Sequence, residues 1–113
     1  MTATGPVTPA RAQPVLITLP AGIDMANADA AGEQLAAAFA AGAVVIADMT
    51  GTTFCDSMGV RTLVRACRLA GASGTDLRLL VTSPAVMRVM KILGLDAVLP
   101  LYQSLEDALA GRA

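Results

Sequence analysis

An α/β fold is what this sequence predicts: one domain built on a small, mixed and mostly parallel sheet of four to five strands, with about four covering helices. Three observations carry that expectation. From Pro14 onward, short apolar runs alternate with segments of helical period, and such alternation implies strands joined by helical crossovers. At 113 residues the chain has room for one domain and can bury a real core. Its hydrophobic content is 55% but its aromatic content only 3%, so that core is assembled from Ala, Val, Leu, Ile and Met.

Met1 to Pro14 carries Thr, Pro and Ala with one Arg and lacks the apolar run of a secretory signal. Residues 1–13 are expected to form a poorly structured lead-in or a frayed first strand, and residues 14–113 the domain. Val15 to Leu19 reads as a short strand closed by Pro20. Asn27 is positioned to cap a helix running to about Ala41, with Leu35, Ala38, Phe39 and Gly42 along one side and Gly42 as its stop. Val44 to Met49 is an apolar run, the pattern of a central strand buried on both faces.

A loop from Thr50 to Asp56 leads to a helix expected over Ser57 to about Ala70. Its inward face would be Val60, Leu63, Val64 and Cys67, with Gly71 beyond its end and Arg61, Arg65 and Arg68 on the other side. Leu77 to Val81 reads as a third strand. At Ser83-Pro84 the serine caps a helix and the proline takes the first helical position, where no donor is missed; this helix ends near Leu93, before Gly94. Met87, Val89, Met90, Ile92 and Leu93 make it apolar nearly all round, which suits core packing and leaves adaptable methionine for a protein contact. Val98 to Tyr102 is expected as a fourth strand, and Ser104-Leu105-Glu106-Asp107 resembles a capping box for a short terminal helix.

The composition removes several classes of function. There is no histidine, hence no common general base, no usual triad and few zinc sites. Ser57 lacks the glycine two positions earlier that a nucleophile elbow needs, and no glycine-rich phosphate loop is present. With 8 basic and 9 acidic residues, net charge −1, no field exists to hold nucleic acid. No stretch approaches the roughly 18 apolar residues of a membrane span. Cys55 and Cys67 read as buried, reduced thiols.

The Asp56-Ser57 junction is different. It joins the loop after a buried strand to a helix N-terminus, where free amides and the helix dipole favour negative charge. Taken alone, that is the chemistry of an ordinary cap.

The run Val45 to Gly59, VIADMTGTTFCDSMG, resembles the signature of STAS domains of the bacterial anti-sigma factor antagonist family: an apolar strand, a polar loop, Phe, any residue, Asp-Ser, a variable residue and Gly. The resemblance extends over about residues 15 to 110 and takes in Ile23-Asp24, Ser83-Pro84-Ala85-Val86 and Leu93-Gly94-Leu95. It implies a non-enzymatic cytoplasmic regulator in which Ser57 is phosphorylated by a partner. That implied partner is an anti-sigma factor with a serine kinase fold, and a phosphatase reverses the modification. The unphosphorylated antagonist binds the anti-sigma factor and frees the sigma factor; phosphorylation blocks that binding. The partner-binding residues so implied are Asp24, Asp56, Ser57, Met58, Gly59 and Arg61. No cofactor, metal, nucleic acid or membrane is expected, and the chain is expected to be a monomer or weak dimer.

Physical chemistry agrees with that expectation. A phosphoryl group adds about −1.5 to −2 of charge beside Asp56 and Asp24, which opposes docking. Within the domain, the helix amides and Arg61, four residues on, can neutralise part of it. Three segments depart from the family pattern. Ala21-Gly22 stands where Gly-Glu often precedes Ile-Asp, and Met58 stands where a second hydroxyl is frequent. Pro6 and Pro9 interrupt the segment from which a strand ahead of Val15 would come. The alternative function is a STAS scaffold or ligand-sensing module in which Ser57 is never phosphorylated; a serine hydrolase, the third class, would react with a fluorophosphonate, and no labelling is expected.

Overall fold

The structure is a computed structural model that describes residues 13–40 and 43–111. The elements run β1 (Val15–Thr18), β2 (Gly22–Ile23), α1 (Ala28–Phe39), β3 (Val44–Met49), β4 (Phe54–Cys55) and α2 (Ser57–Ala72). They continue with β5 (Asp76–Val81), α3 (Pro84–Ile92), a 3-10 turn at Leu95–Ala97, β6 (Leu101–Tyr102) and α4 (Leu105–Ala110). The main sheet has the order β1-β3-β5-β6, and β2 and β4 form a separate two-stranded ladder.

Every ladder among the described residues is parallel, so the expected admixture of antiparallel pairing is not seen there. The N-terminal lead-in or first strand expected over residues 1–13 lies, but for Gln13, outside the described residues, as does Gly42. The main sheet adds its strands in sequence order, always in the same direction. Parallel connections of the usual right hand that advance one way across a sheet place their helices on one face. The contacts follow: α1 lies on β1 and β3, and α2 on β5 and against α1. Val86 and Met90 of α3 join the same core.

The two-residue period of the strands divides their side chains between the faces. Val45, Ala47 and Met49 of β3 and Leu77, Leu79 and Val81 of β5 enter the large core under the helices, with Leu35, Leu63 and Ile23. Ile46 and Leu80 point the other way and pack with Ala108 of α4 and Tyr102. The apolar run Val44–Met49 is therefore the interior strand its sequence predicts, buried from both sides. Arg78, also on the second face, fastens α4: its guanidinium donates to the carbonyls of Ala108 at 2.6 Å and Leu109 at 3.2 Å and pairs with Asp76 at 2.8 Å.

Four details differ from expectation: the end and the inward face of α2, the extent of β6 and the capping of α1. The helix of Ser57 does not stop before Gly71 but continues to Ala72, and the left-handed residue that ends it is Gly74, at φ 73°. Its inward side is Gly59, Val60, Leu63, Ala66 and Ala70, while Val64 and Cys67 are only half-buried. The strand expected over Val98 to Tyr102 is confined to Leu101–Tyr102: a 3-10 turn occupies Leu95–Ala97, Val98 is 71% exposed, and Pro100 has no amide for a ladder. Asn27 precedes α1 without capping it with its side chain. Ser83 and Ser104 do cap, accepting from the amides of Val86 at 3.3 Å and Asp107 at 3.1 Å.

Candidate functional site

The site lies where the chain leaves β1 and β3, at the carboxyl ends of parallel strands, the position at which such sheets place their binding loops. Two loops, residues 19–24 and 50–56, run side by side there. Thr52, fully buried, donates its hydroxyl to the carbonyl of Pro20 at 2.7 Å, and the amide of Thr53 donates to Ala21 at 2.9 Å. The β2–β4 ladder follows, pairing Gly22 with Phe54 and Ile23 with Cys55. The amide of Asp56 then donates to the carbonyl of Ile23 at 3.1 Å. The β4 half of this ladder falls within the segment read from sequence as the loop Thr50 to Asp56, and its β2 half lies between Pro20 and Asn27. Neither it nor Thr52 was anticipated; the β-branched and aromatic run Thr52-Thr53-Phe54 was the available signal.

The same ladder brings Asp24 and Asp56 to its end together. Asp24 is half-buried; its Oδ1 accepts from the amide of Ala26 at 2.9 Å, and its carbonyl accepts from Ala28 at 2.8 Å. Asn27 staples this turn, accepting from the amide of Asp24 at 2.9 Å and donating to the carbonyl of Gly22 at 2.7 Å. That engagement is why its side chain is not free to cap α1.

Asp56 is the N-cap of α2: its backbone is extended, and Oδ1 accepts from the amide of Gly59 at 2.9 Å. Ser57, the first helical residue, is exposed. Among the described residues its hydroxyl has no hydrogen-bond partner. The cap is therefore Asp56, and Ser57 is left free of structural duty. Met58 is exposed at the start of α2, beside Ser57, and Arg61 is exposed one turn on. Two apolar side chains missed by sequence reasoning, Met25 at 78% and Phe54 at 55%, are also exposed, Met25 directly after Asp24 and Phe54 on the ladder.

Gly59 is buried, so its part is packing. A Cβ there would lie 2.6 Å from the carbonyl oxygen of Ile23, 2.7 Å from the Cys55 sulfur and 2.9 Å from Ile23 Cγ2. Only glycine lets the first turn of α2 rest directly on the ladder, which fixes the position of Ser57. Cys55, beneath that turn, is held protonated: burial, and then the Asp56 charge, push its thiol up to about 11. A thiol so raised is no nucleophile at neutral pH. Among the described residues no group of three or more His, Cys, Asp or Glu is placed to hold a metal, and no helix is long and apolar enough to cross a membrane.

The family model of the STAS domain matches residues 6–108 of this chain. No curated protein matches it. Among solved structures, the chain is similar to an anti-sigma factor antagonist from Mycobacterium paratuberculosis, with 28% identity and a TM-score of 0.75 over 84% of this chain and 81% of that one. A sulfate transporter family protein from Wolinella succinogenes is similar at 19% identity and a TM-score of 0.76, over 93% and 87% of the two chains. The Bacillus cell fate determinant SpoIIAA in its phosphorylated form is similar at 22% identity and a TM-score of 0.63, over 91% and 94%. At these two lower identities the likeness is one of fold. Since the family model spans nearly the whole sequence, the chain belongs to the STAS domain family.

Proposed function

We propose that this protein is an anti-sigma factor antagonist switched by phosphorylation of Ser57. Unphosphorylated, it binds an anti-sigma factor with a serine kinase fold and so frees a sigma factor. In the modifying step the γ-phosphoryl of ATP passes to Ser57 Oγ, the hydroxyl proton leaves with a base of the kinase, and ADP is released. A phosphatase resets the switch. The chain itself carries no active site in this reading and works in the cytoplasm.

The observation that carries the proposal is the division of labour at the head of α2: Asp56 satisfies the cap, and the neighbouring hydroxyl of Ser57 is exposed and has no hydrogen-bond partner among the described residues. Such a group can be modified without removing a bond the fold needs. Membership of the STAS family and likeness to an antagonist at 28% identity support the choice of partner. Asp24 and Asp56, at the end of one ladder, supply the negative surroundings in which an added phosphate of about −1.5 to −2 repels a docked partner. The experiment is incubation with the cognate kinase and ATP, followed by mass spectrometry and a binding assay. Phosphate on Ser57 alone, with loss of binding, is expected; unmodified Ser57 would leave the scaffold or ligand-sensing role.

A further inference from the structure

Arg61, Arg65 and Arg68 are all exposed on α2, and α2 contains no Asp or Glu. At 3.6 residues per turn they share with Ser57 a sector of ~80°, and the three arginines span about 10 Å of helix axis. The chain as a whole is slightly acidic, at net charge −1, so this helix concentrates cations against the general balance. Arg78–Asp76 is the ion pair found among the described residues. Arg65 borders a groove with Asp29 and Glu33 of α1 but pairs with neither. Arg61, one turn from the N-terminus of α2, also lies toward the positive end of the helix dipole, where a cation is disfavoured. The fold gains nothing evident from this stripe.

We infer that the stripe is a docking surface for an acidic face of the protein that acts on Ser57, and that phosphorylation turns one of its arginines inward. This inference rests on the function proposed above. A partner that reaches the Ser57 hydroxyl must cover the first turns of α2, and a row of guanidinium groups there selects carboxylates, which arginine can grip with two parallel hydrogen bonds. The row is too short, and the net charge of the wrong sign, for a nucleic acid or a lipid surface to be the better match. Once Ser57 carries a phosphoryl group, Arg61 at i+4 is its nearest cation along the helix. The group then repels the acidic face and withdraws Arg61 from it, so one charge acts twice.

The test uses the full chain, its cognate anti-sigma factor kinase and the variants R65E/R68E, R65A/R68A and R65K/R68K, which leave the head of α2 intact. R65E/R68E is expected to weaken binding about tenfold or more, chiefly by slowing association, with R65A/R68A intermediate and the lysine pair, which keeps the charge but loses the two-bond grip, between R65A/R68A and wild type; added salt should weaken the wild type and spare R65E/R68E. Circular dichroism confirms that each variant is folded, and R65A/R68A serves where charge reversal disturbs the helix. If the wild type binds and is phosphorylated but R65E/R68E and R65A/R68A bind equally well, the docking inference is overturned and the switch stands. If the wild type neither binds nor is phosphorylated, the switch fails and the kinase is not the occupant. Tighter retention on phosphatidylglycerol vesicles through the same arginines would overturn the assignment to a protein partner.

Discussion

At the scale of single residues, the head of α2 separates positions that hold structure from the position that is free to change. Gly59→Ala forces a methyl group to within 2.6 Å of a backbone oxygen, and overpacking of this kind typically costs about 1–3 kcal/mol; urea denaturation should show a loss toward the upper end. Asp56→Ala removes the bond to the Gly59 amide and is expected to cost ~1 kcal/mol. Ser57→Ala breaks no hydrogen bond within the described residues and should alter stability by less than ~0.5 kcal/mol, while abolishing the proposed phosphorylation. The thiols set a further expectation. Burial pushes both Cys55 and Cys67 up to about 11 from the ordinary 9.0. Between those values the unfolded chain loses thiol protons that the folded chain keeps, so stability falls as pH rises from 9 to 11 and is unaffected by these groups below 9. Denaturation of Cys67→Ala across that window should show a shallower decline than the wild type.

Among the elements, two depend on a partner for their existence. α4 has six residues, far fewer than the ~12–15 at which an isolated helix becomes marginal. It is retained by Ala108 on the second face of the sheet and by the Arg78 guanidinium on its last carbonyls. Arg78→Met should therefore speed amide exchange in residues 105–111, by the factor that corresponds to losing about 2 kcal/mol of charged hydrogen bonding, while β3 and β5 stay protected. The β2–β4 ladder is likewise too short to persist alone and is braced by Thr52, Asn27 and the first turn of α2. These two elements also mark how far the sequence could be read. Val44–Met49 and Leu77–Val81 are legible because burial on both faces demands a mostly apolar run, broken here only by Asp48 in one and Arg78 in the other. Ser83-Pro84 and Ser104 are legible because a cap is a local contact. Two-residue strands carry no period at all, and Thr52 is buried by a loop distant in sequence, so neither leaves a local trace. The end of α2 was misplaced because Gly71 and Gly74 are equally good candidates until the packing of Thr75 and Leu77 decides between them. At the site, Asp24, Asp56 and Ser57 were found through a motif, whereas exposed Met25 and Phe54 became visible only once the ladder was.

For the molecule as a whole, the core reaches the site but not the hydroxyl. Ile23, Cys55 and Val60 of the large core lie under the head of α2, while the Ser57 side chain is exposed and makes no hydrogen bond among the described residues. Phosphorylated and unphosphorylated protein are accordingly expected to give the same far-ultraviolet circular dichroism, with no loss of folding free energy because the helix amides and Arg61 can receive the added charge, even where partner affinity differs greatly. A drop in thermal stability of many degrees on phosphorylation would show that the modification works by unfolding instead.

The pairing of residues 22–23 with 54–55 has a further consequence for whoever reads Ser57. The surroundings of that serine are contributed by two stretches of chain that are far apart until folding joins them, with Asp24 from one and Asp56 from the other. The proposed phosphoacceptor is thus a conformational epitope, not a linear word. A synthetic peptide of residues 50–65 contains the motif but neither the ladder nor Asp24, and the kinase is expected to ignore it while modifying the folded domain readily.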